Sequence, residues 1–388
     1  MSRVALIAGF GLSIFLLLFG GKKEEPSLEF PPAEKIEKSV PAEKFQAVPV
    51  SFSNLKGWGR DDLLQALPAM RKSCRRTRRQ KEWTAFCREI QDRKFKTNKE
   101  LRLFLEKKLQ PYAVDPGKEG LFTGYYEPEI EGCLVRTREC RTPLYGVPED
   151  IFRINLGEFD PKYKGDIVFG RLDGKNVRPY LTRQEIETHD GAFPAEPIVW
   201  VRHAADAFVL QIQGSGLIRL PDGKTMAVGY AGNNGRKFVG IGAIMAKRGL
   251  LKPGVYTMAE ITAWLKQNPV EAEELMHQNP RYIFFRKLKE KGAVGSLGVR
   301  LTAGRSMAVD PAYIPLGSVL WLETTAPDGK PMNRLMTAQD TGTAIKGAVR
   351  GDFFWGTGEK ALKEAGRMRS KGTYFLLVPK KDGKTEIE

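Results

Sequence analysis

Apolar residues recur every three or four positions between residues 61 and 109, which predicts three consecutive helices. The apolar faces consist of Leu63, Leu64, Leu67 and Met70 in the first helix, of Trp83, Phe86, Cys87 and Ile90 in the second, and of Leu101, Phe104, Leu105 and Leu109 in the third. Asp61 and Asp62 precede the first helix and are suited to capping it. We therefore expect the folded part of the chain to begin with helices.

The pattern changes at Gly120 to short apolar or alternating runs separated by turn residues, which is typical of strands. The predicted strands lie in LFTGYYEPEIEGC, DIVFGRL, EPIVWVRH, AFVLQIQGSGLIRL, TMAVGYAG, RYIFFRKL, GVRLTAGRSMAVD, GSVLWLETT, RLMTAQD and TYFLLVP. Further helices are expected at IGAIMAKRG and at about residues 258–266, 269–278 and 359–368. The fold class is thus mainly β with helices, and many short strands favour a barrel or a sandwich.

The first residues have the pattern of an export signal. One basic residue, Arg3, precedes an apolar run from Val4 to Gly21, so residues 1–21 are a signal peptide or a membrane anchor. An uncleaved anchor is favoured because no A-x-A-like site follows directly and no cysteine is nearby for lipid attachment. Residues 22–50 are rich in Pro, Lys and Glu and predict a disordered spacer. Either way, the folded part is expected to be exported.

The charge balance indicates an anionic partner. The chain holds 62 Lys and Arg against 46 Asp and Glu, which gives a net charge of +16. No zinc-finger spacing and no RNA-binding aromatic strand accompany this charge, so an acidic polymer fits better than nucleic acid. The basic run RRTRRQK, residues 75–81, is expected to form a solvated loop, although it could contact an anionic substrate.

The four cysteines fall into two local pairs, Cys74 with Cys87 and Cys133 with Cys140. In an exported protein this pattern predicts two short-loop disulfides. Metal binding is the alternative, but the spacings are not those of a zinc site and the chain has only three His. No metal and no cofactor is expected.

Three acids near the C-terminus are candidates for catalysis. Asp310, Asp340 and Asp352 lie close to glycine or proline and beside apolar runs, so we expect them on turns. An apolar setting raises the pKa of a carboxyl group and suits it to act as a general acid. The alternative is that these acids form turns and bond their own backbone.

Other chemistries fit less well. Asp340-Thr341-Gly342 matches the aspartic-protease triplet, but that mechanism needs two such acids and the chain has one. No P-loop or dinucleotide fingerprint is present, the three His lie in polar segments, and no helix pattern follows Ser215 as a nucleophile elbow requires. Acid–base chemistry by carboxyl groups remains, and it suits sugar bonds.

Aromatic residues near polar groups support a sugar substrate, because sugar rings stack on aromatic rings. The aromatic candidates are Tyr125, Tyr126, Tyr230, Trp321 and the run 353–355, and the polar ones beside them are Gln213, Asn233 and Asn234. The alternative is that most of these aromatic side chains fill the interior of a barrel.

Several motifs in one order give a specific resemblance. They are TGYYEP at 123–128, QIQGSG at 211–216, GYAGNNG at 229–235, NPRYIFF at 279–285, and the C-terminal run VDPAYIPLG, QDTGTAIKG and GDFFWG. From about residue 51 to 379 the chain resembles the membrane-bound lytic murein transglycosylases of the A type (the MltA family). The C-terminal run resembles their 3D domain, named for three aspartates that correspond to Asp310, Asp340 and Asp352.

The resemblance implies a two-domain fold. Residues 51–128 and 290–388 would form a double-psi β-barrel catalytic domain, with the 3D segment at about 295–380. Residues 129–289 would form a second, inserted β-barrel, and the glycan would lie in the groove between the two. The family often carries an N-terminal lipid-anchored cysteine, which this chain lacks. The expected location is the periplasm, with attachment to a membrane through the N-terminal segment.

The resemblance also implies a mechanism. Asp352 would protonate the glycosidic oxygen between N-acetylmuramic acid and N-acetylglucosamine in peptidoglycan, and its carboxylate would then deprotonate the muramoyl C6 hydroxyl, which attacks C1. The product is a 1,6-anhydro sugar, made for cell-wall turnover and remodelling. Asp340 is the second catalytic residue and is expected to hold hydrogen bonds of the site with Lys346, while Asp310 is expected to be a structural turn acid.

The expected substrate-binding residues are Tyr126, Glu127, Gln213, Ser215, Tyr230, Asn233, Arg305, Lys346 and Trp355. Glycan strands are the expected partner, with other cell-wall synthesis or division proteins as further candidates. Two alternatives of other classes stay open: a murein-binding protein without turnover, and a glycosidase that hydrolyses the bond with a second carboxylate.

Overall fold

A computed structural model describes residues 46–190, 193–253 and 256–380. The predicted signal or anchor at residues 1–21 and most of the predicted spacer lie outside these ranges. Within them, no helix is both long enough and apolar enough to cross a membrane.

Helices are distributed along the described chain. The α-helices are α1 (Leu67–Thr77), α2 (Thr84–Asp92), α3 (Asn98–Lys108), α4 (Arg183–Glu187), α5 (Ala204–Gln213), α6 (Ile241–Lys247), α7 (Met258–Gln267), α8 (Pro269–His277) and α9 (Gly358–Arg367). Short 3-10 helices lie at Phe52–Asn54, Leu63–Ala66, Lys81–Trp83, Leu156–Glu158 and Pro161–Tyr163. The three helices predicted before residue 110 and the four predicted after residue 240 are present.

Strands make up most of the remaining regular structure. They are β1 (Ala47–Pro49), β2 (Leu109–Val114), β3 (Gly120–Glu127), β4 (Glu129–Cys133), β5 (Thr142–Tyr145), β6 (Phe152–Asn155), β7 (Ile167–Asp173), β8 (Asn176–Pro179), β9 (Pro197–Val201), β10 (Ser215–Arg219), β11 (Thr225–Asn233), β12 (Ile283–Lys287), β13 (Ser306–Val309), β14 (Val319–Thr325), β15 (Pro331–Asp340), β16 (Arg350–Thr357) and β17 (Arg369–Pro379).

The largest sheet joins strands from both ends of the described chain. Its order is β1-β2-β17-β14-β15-β13-β16-β3, and β17 also pairs with β3. The extra pairing closes a circuit of six strands, in which β13 pairs in parallel with β15 and β16 pairs in parallel with β3. Such a circuit brings segments that are more than 200 residues apart in sequence into direct contact.

Two smaller sheets come from the middle of the chain. A six-stranded sheet has the order β12-β11-β10-β4-β9-β5, and a three-stranded antiparallel sheet consists of β6, β7 and β8. Only Pro128 separates β3 of the large sheet from β4 of the six-stranded sheet. The chain therefore passes directly from one sheet to the other.

Separate apolar clusters hold these parts together. Helices α1 to α3 pack on one side of the large sheet, where Trp58 contacts Trp321 edge to face. A second cluster lies among the strands of the large sheet and includes Phe122, Phe353 and Tyr374. Disulfides join Cys74 to Cys87, between α1 and α2, and Cys133 to Cys140 after β4.

One element has the wrong type in the sequence prediction. The run AFVLQIQGSGLIRL was predicted as a strand, but residues 204–213 form helix α5 and only Ser215–Arg219 is a strand. Helix α5 packs two opposite faces against different clusters, with Leu210 in one and Phe208 in the other, so its sequence is apolar all round. Gly214, with φ of +81°, ends the helix in the left-handed conformation that favours glycine.

Two boundaries also differ from the prediction. Strand β1 pairs Ala47–Pro49 with β2, inside the range predicted as a disordered spacer. Helix α1 extends to Thr77, so the first part of the basic run 75–81 is helical and not a loop. Basic residues at a helix C-terminus interact favourably with the helix dipole, which is consistent with this extension.

Candidate active site

Four neighbouring strands of the large sheet align two of the three candidate acids, Asp340 and Asp352, in one row. In β13, Ala308 pairs with Asp340 of β15 on one side and with Asp352 of β16 on the other. On the far side of β16, Asp352 pairs with Thr123 of β3. Asp340 and Asp352 are thus two strand spacings apart, about 10 Å between their backbones. Asp352 lies within a strand and Asp340 ends one, so the prediction of glycine-rich turns for both is wrong.

The Asp352 carboxyl group is crowded by protein yet partly accessible. Its Oδ1 accepts a hydrogen bond of 2.5 Å from the Thr123 hydroxyl. Loss of solvent raises the pKa of Asp352 to about 6, while the Thr123 hydrogen bond and the charge of Arg350 hold it lower than burial alone would. In the described ranges, Oδ2 of Asp352 accepts no hydrogen bond. One oxygen of this carboxyl group is therefore available to a ligand.

Arg350 positions Thr123, which donates to Asp352. Its guanidinium donates to the Thr123 hydroxyl at 2.9 Å and to the Leu121 carbonyl at 3.1 Å. Thr123 in turn donates its own proton to Asp352, so the three side chains form a chain of donors that ends on the carboxylate. This arrangement fixes the orientation of Asp352 without a direct Arg350–Asp352 ion pair.

Asp340 has a different environment, although burial raises its pKa as well. Its Oδ1 accepts from the backbone N–H and hydroxyl of Ser296 and from the Thr341 N–H, each at 2.9 Å. Its Oδ2 accepts from the Tyr125 hydroxyl at 3.0 Å. Four donors suit a carboxylate that stays ionised as an acceptor.

Tyr125 donates a hydrogen bond to Asp340 and lies close enough to Asp352 to respond to its charge. Burial and the charges of Asp340 and Asp352 raise the pKa of its hydroxyl well above the usual value, so Tyr125 keeps its proton and remains a donor. Its ring also packs against Phe354, with 5.2 Å between centroids. The site therefore has one carboxyl group able to carry a proton and one held as an acceptor.

Asp310 and Lys346 do not join this row. Asp310 is buried and accepts from the N–H groups of Ala312 and Gly347, as a turn acid does. The Lys346 ammonium is mostly exposed and lies 3.9 Å from Asp310. The expected pairing of Lys346 with Asp340 is therefore wrong, because Ser296, Thr341 and Tyr125 already satisfy Asp340.

A second group of predicted residues lies where β3 and β16 end. Glu127 is buried, accepts from the Thr357 hydroxyl at 2.6 Å and leaves Oε1 without a partner in the described ranges. The Tyr126 N–H donates to the Gln213 side chain at 3.3 Å. Trp355 is half-buried and points its indole N–H at the Met368 sulfur. Tyr126, Glu127 and Trp355 follow Thr123 and Asp352 along the same two strands, and Gln213 reaches them from the end of α5.

Three other predicted residues, Ser215, Tyr230 and Asn233, lie on the six-stranded sheet. Ser215 is buried at the start of β10, and Tyr230 is exposed on β11. The buried Asn233 side chain donates to the exposed Tyr230 hydroxyl at 2.6 Å, so Asn233 orients Tyr230. In the described residues, no group of three or more His, Cys, Asp or Glu side chains is arranged to hold a metal ion.

Arg305 does not have the surroundings of a substrate-binding residue. Its guanidinium is buried and forms a two-pronged ion pair with Asp61, with contacts of 2.7 and 2.9 Å. It also donates to the carbonyls of Leu335 and Asp62. Asp61, which was predicted to cap the first helix, accepts from the Leu335 N–H as well. The pair ties the N-terminal helical region to the large sheet.

This placement predicts a stability effect for Arg305. Arg305→Ala leaves the buried Asp61 carboxylate without its partner, so we expect the free energy of unfolding to fall by about 3–5 kcal/mol. Chemical denaturation measures this loss, and Asp61→Leu/Arg305→Met serves as the control because removal of both charges should restore much of the stability. A stable Arg305→Ala variant with weakened glycan binding would instead support the original substrate-binding role.

The sequence prediction missed Thr123, Arg350 and Ser296. Thr123 lies inside the TGYYEP motif and Arg350 two residues before Asp352, so both were close to residues already selected. Ser296 lies 44 residues from Asp340 in sequence, and no local pattern marks it.

Comparisons with known proteins agree with this architecture. Residues 121–286 match the MltA specific insert domain, and residues 305–378 match the 3D domain. The chain is 33% identical to MltA from Neisseria gonorrhoeae, whose crystal structure in a monoclinic form superposes with a TM-score of 0.79 over 89% of this chain and 95% of that one. A membrane-bound lytic murein transglycosylase from Agrobacterium tumefaciens is 31% identical, with a TM-score of 0.75 over 86% and 98%.

A curated relative matches over a shorter length. Membrane-bound lytic murein transglycosylase A of Escherichia coli (strain K12) is 30% identical over 264 residues, which is 66% of this chain and 65% of the relative. The match thus spans just under two thirds of that relative. A structure of E. coli MltA with bound chitohexaose is 24% identical and shares the fold, with a TM-score of 0.63. Fold, motifs and relatives agree, and the chain belongs to the MltA family.

Proposed function

We propose that this protein is a lytic transglycosylase that cleaves the β-1,4 bond between N-acetylmuramic acid and N-acetylglucosamine in peptidoglycan. The observation that carries the proposal is the difference between the two acids of the row. Asp352 has a pKa of about 6 and one oxygen without a hydrogen-bond partner in the described ranges, whereas Asp340 accepts four hydrogen bonds. One carboxyl group is thus suited to proton transfer.

Asp352 performs both proton transfers in this proposal. The protonated carboxyl group gives its proton to the glycosidic oxygen as the bond from C1 of N-acetylmuramic acid to that oxygen breaks. The resulting carboxylate takes the proton from the C6 hydroxyl of the same sugar, and the C6 oxygen bonds to C1 to close the 1,6-anhydro ring. The residue ends in its starting form, and no water is consumed. The attack is intramolecular and benefits from proximity.

The other residues of the row orient and tune Asp352. Thr123 holds Oδ1, which leaves Oδ2 to face the sugar. Arg350 orients Thr123, and its charge limits how far burial raises the pKa of Asp352. Asp340 positions Tyr125 and the 295–298 turn through the hydrogen bonds it accepts.

A hydrolysing glycosidase is the second candidate from the same fold. It needs a second carboxylate that activates a water or attacks the sugar. Asp340 is the nearest acid in the row, but its four donors occupy both of its oxygens. This saturation favours the single-acid route.

The relatives support the choice of substrate. The E. coli structure contains chitohexaose, which is an oligosaccharide of β-1,4-linked N-acetylglucosamine and has the β-1,4 linkage of the peptidoglycan backbone. The net charge of +16 favours association with the acidic wall polymer. We include Tyr126, Glu127, Gln213, Ser215, Tyr230, Asn233 and Trp355 in the proposed glycan-binding surface.

The finer architecture is also part of the proposal. The six-strand circuit that β17 closes by pairing with β3 supports a double-psi β-barrel formed by residues 51–128 and 290–388. Residues 129–289 would be an inserted barrel, with the glycan in the groove between them. We place the folded part in the periplasm, attached to a membrane through residues 1–21, because the family relatives are named membrane-bound.

Digestion of purified murein tests the proposal directly. Mass spectrometry of the muropeptides should show 1,6-anhydro ends, which are lighter by one water than the reducing ends that a hydrolase produces. A heat-denatured sample is the control. Reducing ends would establish the hydrolase, and binding of murein without products would establish a non-catalytic protein.

A further inference from the structure

One face of helix α1 carries four basic residues. Lys72, Arg75, Arg76 and Arg79 follow the spacing i, i+3, i+4 and i+7, which places them on one side, although Arg79 lies one residue beyond the C-cap, Arg78. The opposite side packs Met70 and Cys74 into the core. We name these four residues the α1 basic face.

The α1 basic face lies against the segment that holds Asp340. The Arg76 guanidinium donates to the Gly298 carbonyl at 2.9 Å, and the Lys72 ammonium donates to the Thr302 hydroxyl at 3.0 Å. Gly298 is two residues from Ser296, which donates twice to Asp340. Chain reach and strand spacing therefore place Arg76 within about 20 Å of Asp352.

The charge on this face is not neutralised by the protein. In the described part of the chain, no carboxylate forms an ion pair with Lys72, Arg75, Arg76 or Arg79, and the three arginines are exposed. Burial lowers the pKa of the Lys72 ammonium, and the nearby charges of Arg300 and Arg75 lower it further. Like charges this close repel one another, and a multivalent anion would relieve that repulsion.

We propose that the α1 basic face binds the carboxylates of the peptide stems that peptidoglycan carries on its muramic acid residues. The inference rests on the proposed function, because it assumes that a glycan strand lies across the acid row. A strand placed there extends past the 295–302 segment, and its stems project sideways from the sugars. Arg75 and Arg79 make no hydrogen bond through their side chains in the described ranges, so both are free to pair with carboxylates. The protein thereby prefers stem-bearing glycan to denuded glycan.

Two substrates and one double variant test this preference. The substrates are glycan strands with intact stems and the same strands after an amidase has removed the stems. For Arg75→Gln/Arg79→Gln we expect KM on stem-bearing strands to rise about fivefold, with kcat and the KM on denuded strands unchanged. The difference should shrink in high salt, because salt screens exposed charges. Lys247→Gln/Lys252→Gln, which removes two exposed positive charges elsewhere, should leave both KM values unchanged.

Binding to the same strands separates this inference from the proposed function. Arg75→Gln/Arg79→Gln is combined with Asp352→Asn, and binding to both kinds of strand is measured by co-sedimentation. This protein should no longer bind stem-bearing strands more tightly than denuded ones, whether or not the parent protein cleaves glycan. An equal change on both substrates, or no change on either, overturns the stem-binding role. Thermal unfolding of the double variant, compared with that of the Lys247→Gln/Lys252→Gln control, shows whether loss of the helix-terminal charges has altered the fold.

Discussion

Asp352→Asn should lower kcat on murein by at least about 10³-fold and leave the affinity for glycan strands nearly unchanged. General acid–base catalysis by one side chain contributes about 10²–10⁴-fold, and here one group performs both proton transfers. An amide keeps the size of the carboxyl group and can still accept from Thr123, but it cannot deliver a proton at neutral pH. Release of anhydro-muropeptides measures kcat, and co-sedimentation with murein measures affinity.

The fold of Asp352→Asn should be intact, and the sign of its stability change supports that reading. The folded protein raises the pKa of Asp352 from 3.8 to about 6. Ionisation of Asp352 therefore destabilises the folded state. The free energy of unfolding decreases as the pH rises from about 3.8 to about 6, and it stays at the lower value above that range. An uncharged amide avoids this cost, so the variant should unfold at neutral pH no more easily than the parent.

Asp328→Asn is a matched control because Asp328 is an exposed acid on the turn between β14 and β15 of the same sheet. Its activity should equal that of the parent protein. Normal activity of Asp352→Asn, or loss of activity together with loss of glycan binding, would remove Asp352 from the catalytic role.

The helices that the sequence predicts well are those with one buried face. Each of α1 to α3 packs a single apolar stripe on the large sheet, so apolar residues recur with the helical period and the sequence predicts these helices. Helix α5 lacks that signal because it packs Leu210 and Phe208 into different clusters. A segment that is apolar all round cannot be distinguished by periodicity from a buried strand.

The order of strands in the large sheet, unlike the position of a helix, has no local signal in the sequence. The closed circuit depends on pairings such as Asp352 with Thr123, which are 229 residues apart. Local patterns specify which residues alternate, but they do not specify which strand becomes the neighbour. The sequence alone therefore could not predict this strand order, and the double-psi β-barrel is a proposal that came from the resemblance to a family.

The candidate site also combines residues that local motifs indicate with contacts that depend on distant parts of the chain. Motifs led to Asp340 and Asp352, since each lies beside apolar residues in a recognisable run. Arg305 was predicted to bind substrate, but its partner Asp61 is 244 residues away and gives no local sign of the contact. A charged residue near a motif can form an ion pair inside the fold or bind the substrate, and its contacts in the structure distinguish the two roles.

The pH dependence of kcat/KM should have one dominant limb on the alkaline side. Asp352 must carry a proton before the first step, and its pKa is about 6, so kcat/KM should fall about tenfold for each pH unit above that value. The protonated fraction decreases in the same proportion. Rates of anhydro-product release across a pH series at constant ionic strength give the profile directly. A flat profile between pH 6 and 8 would contradict the assignment of Asp352 as the general acid.

Arg350 sets the position of that limb. Its positive charge favours the ionised form of Asp352 and so holds the pKa down. Arg350→Gln removes the charge, and we expect the limb to move to higher pH by up to about one unit. Arg350→Lys keeps the charge near Thr123 and should shift the limb less, which separates the electrostatic effect from the loss of the guanidinium hydrogen bonds. A shift to lower pH in Arg350→Gln would mean that another titrating group governs the rate, because loss of a nearby cation cannot lower the pKa of a carboxyl group.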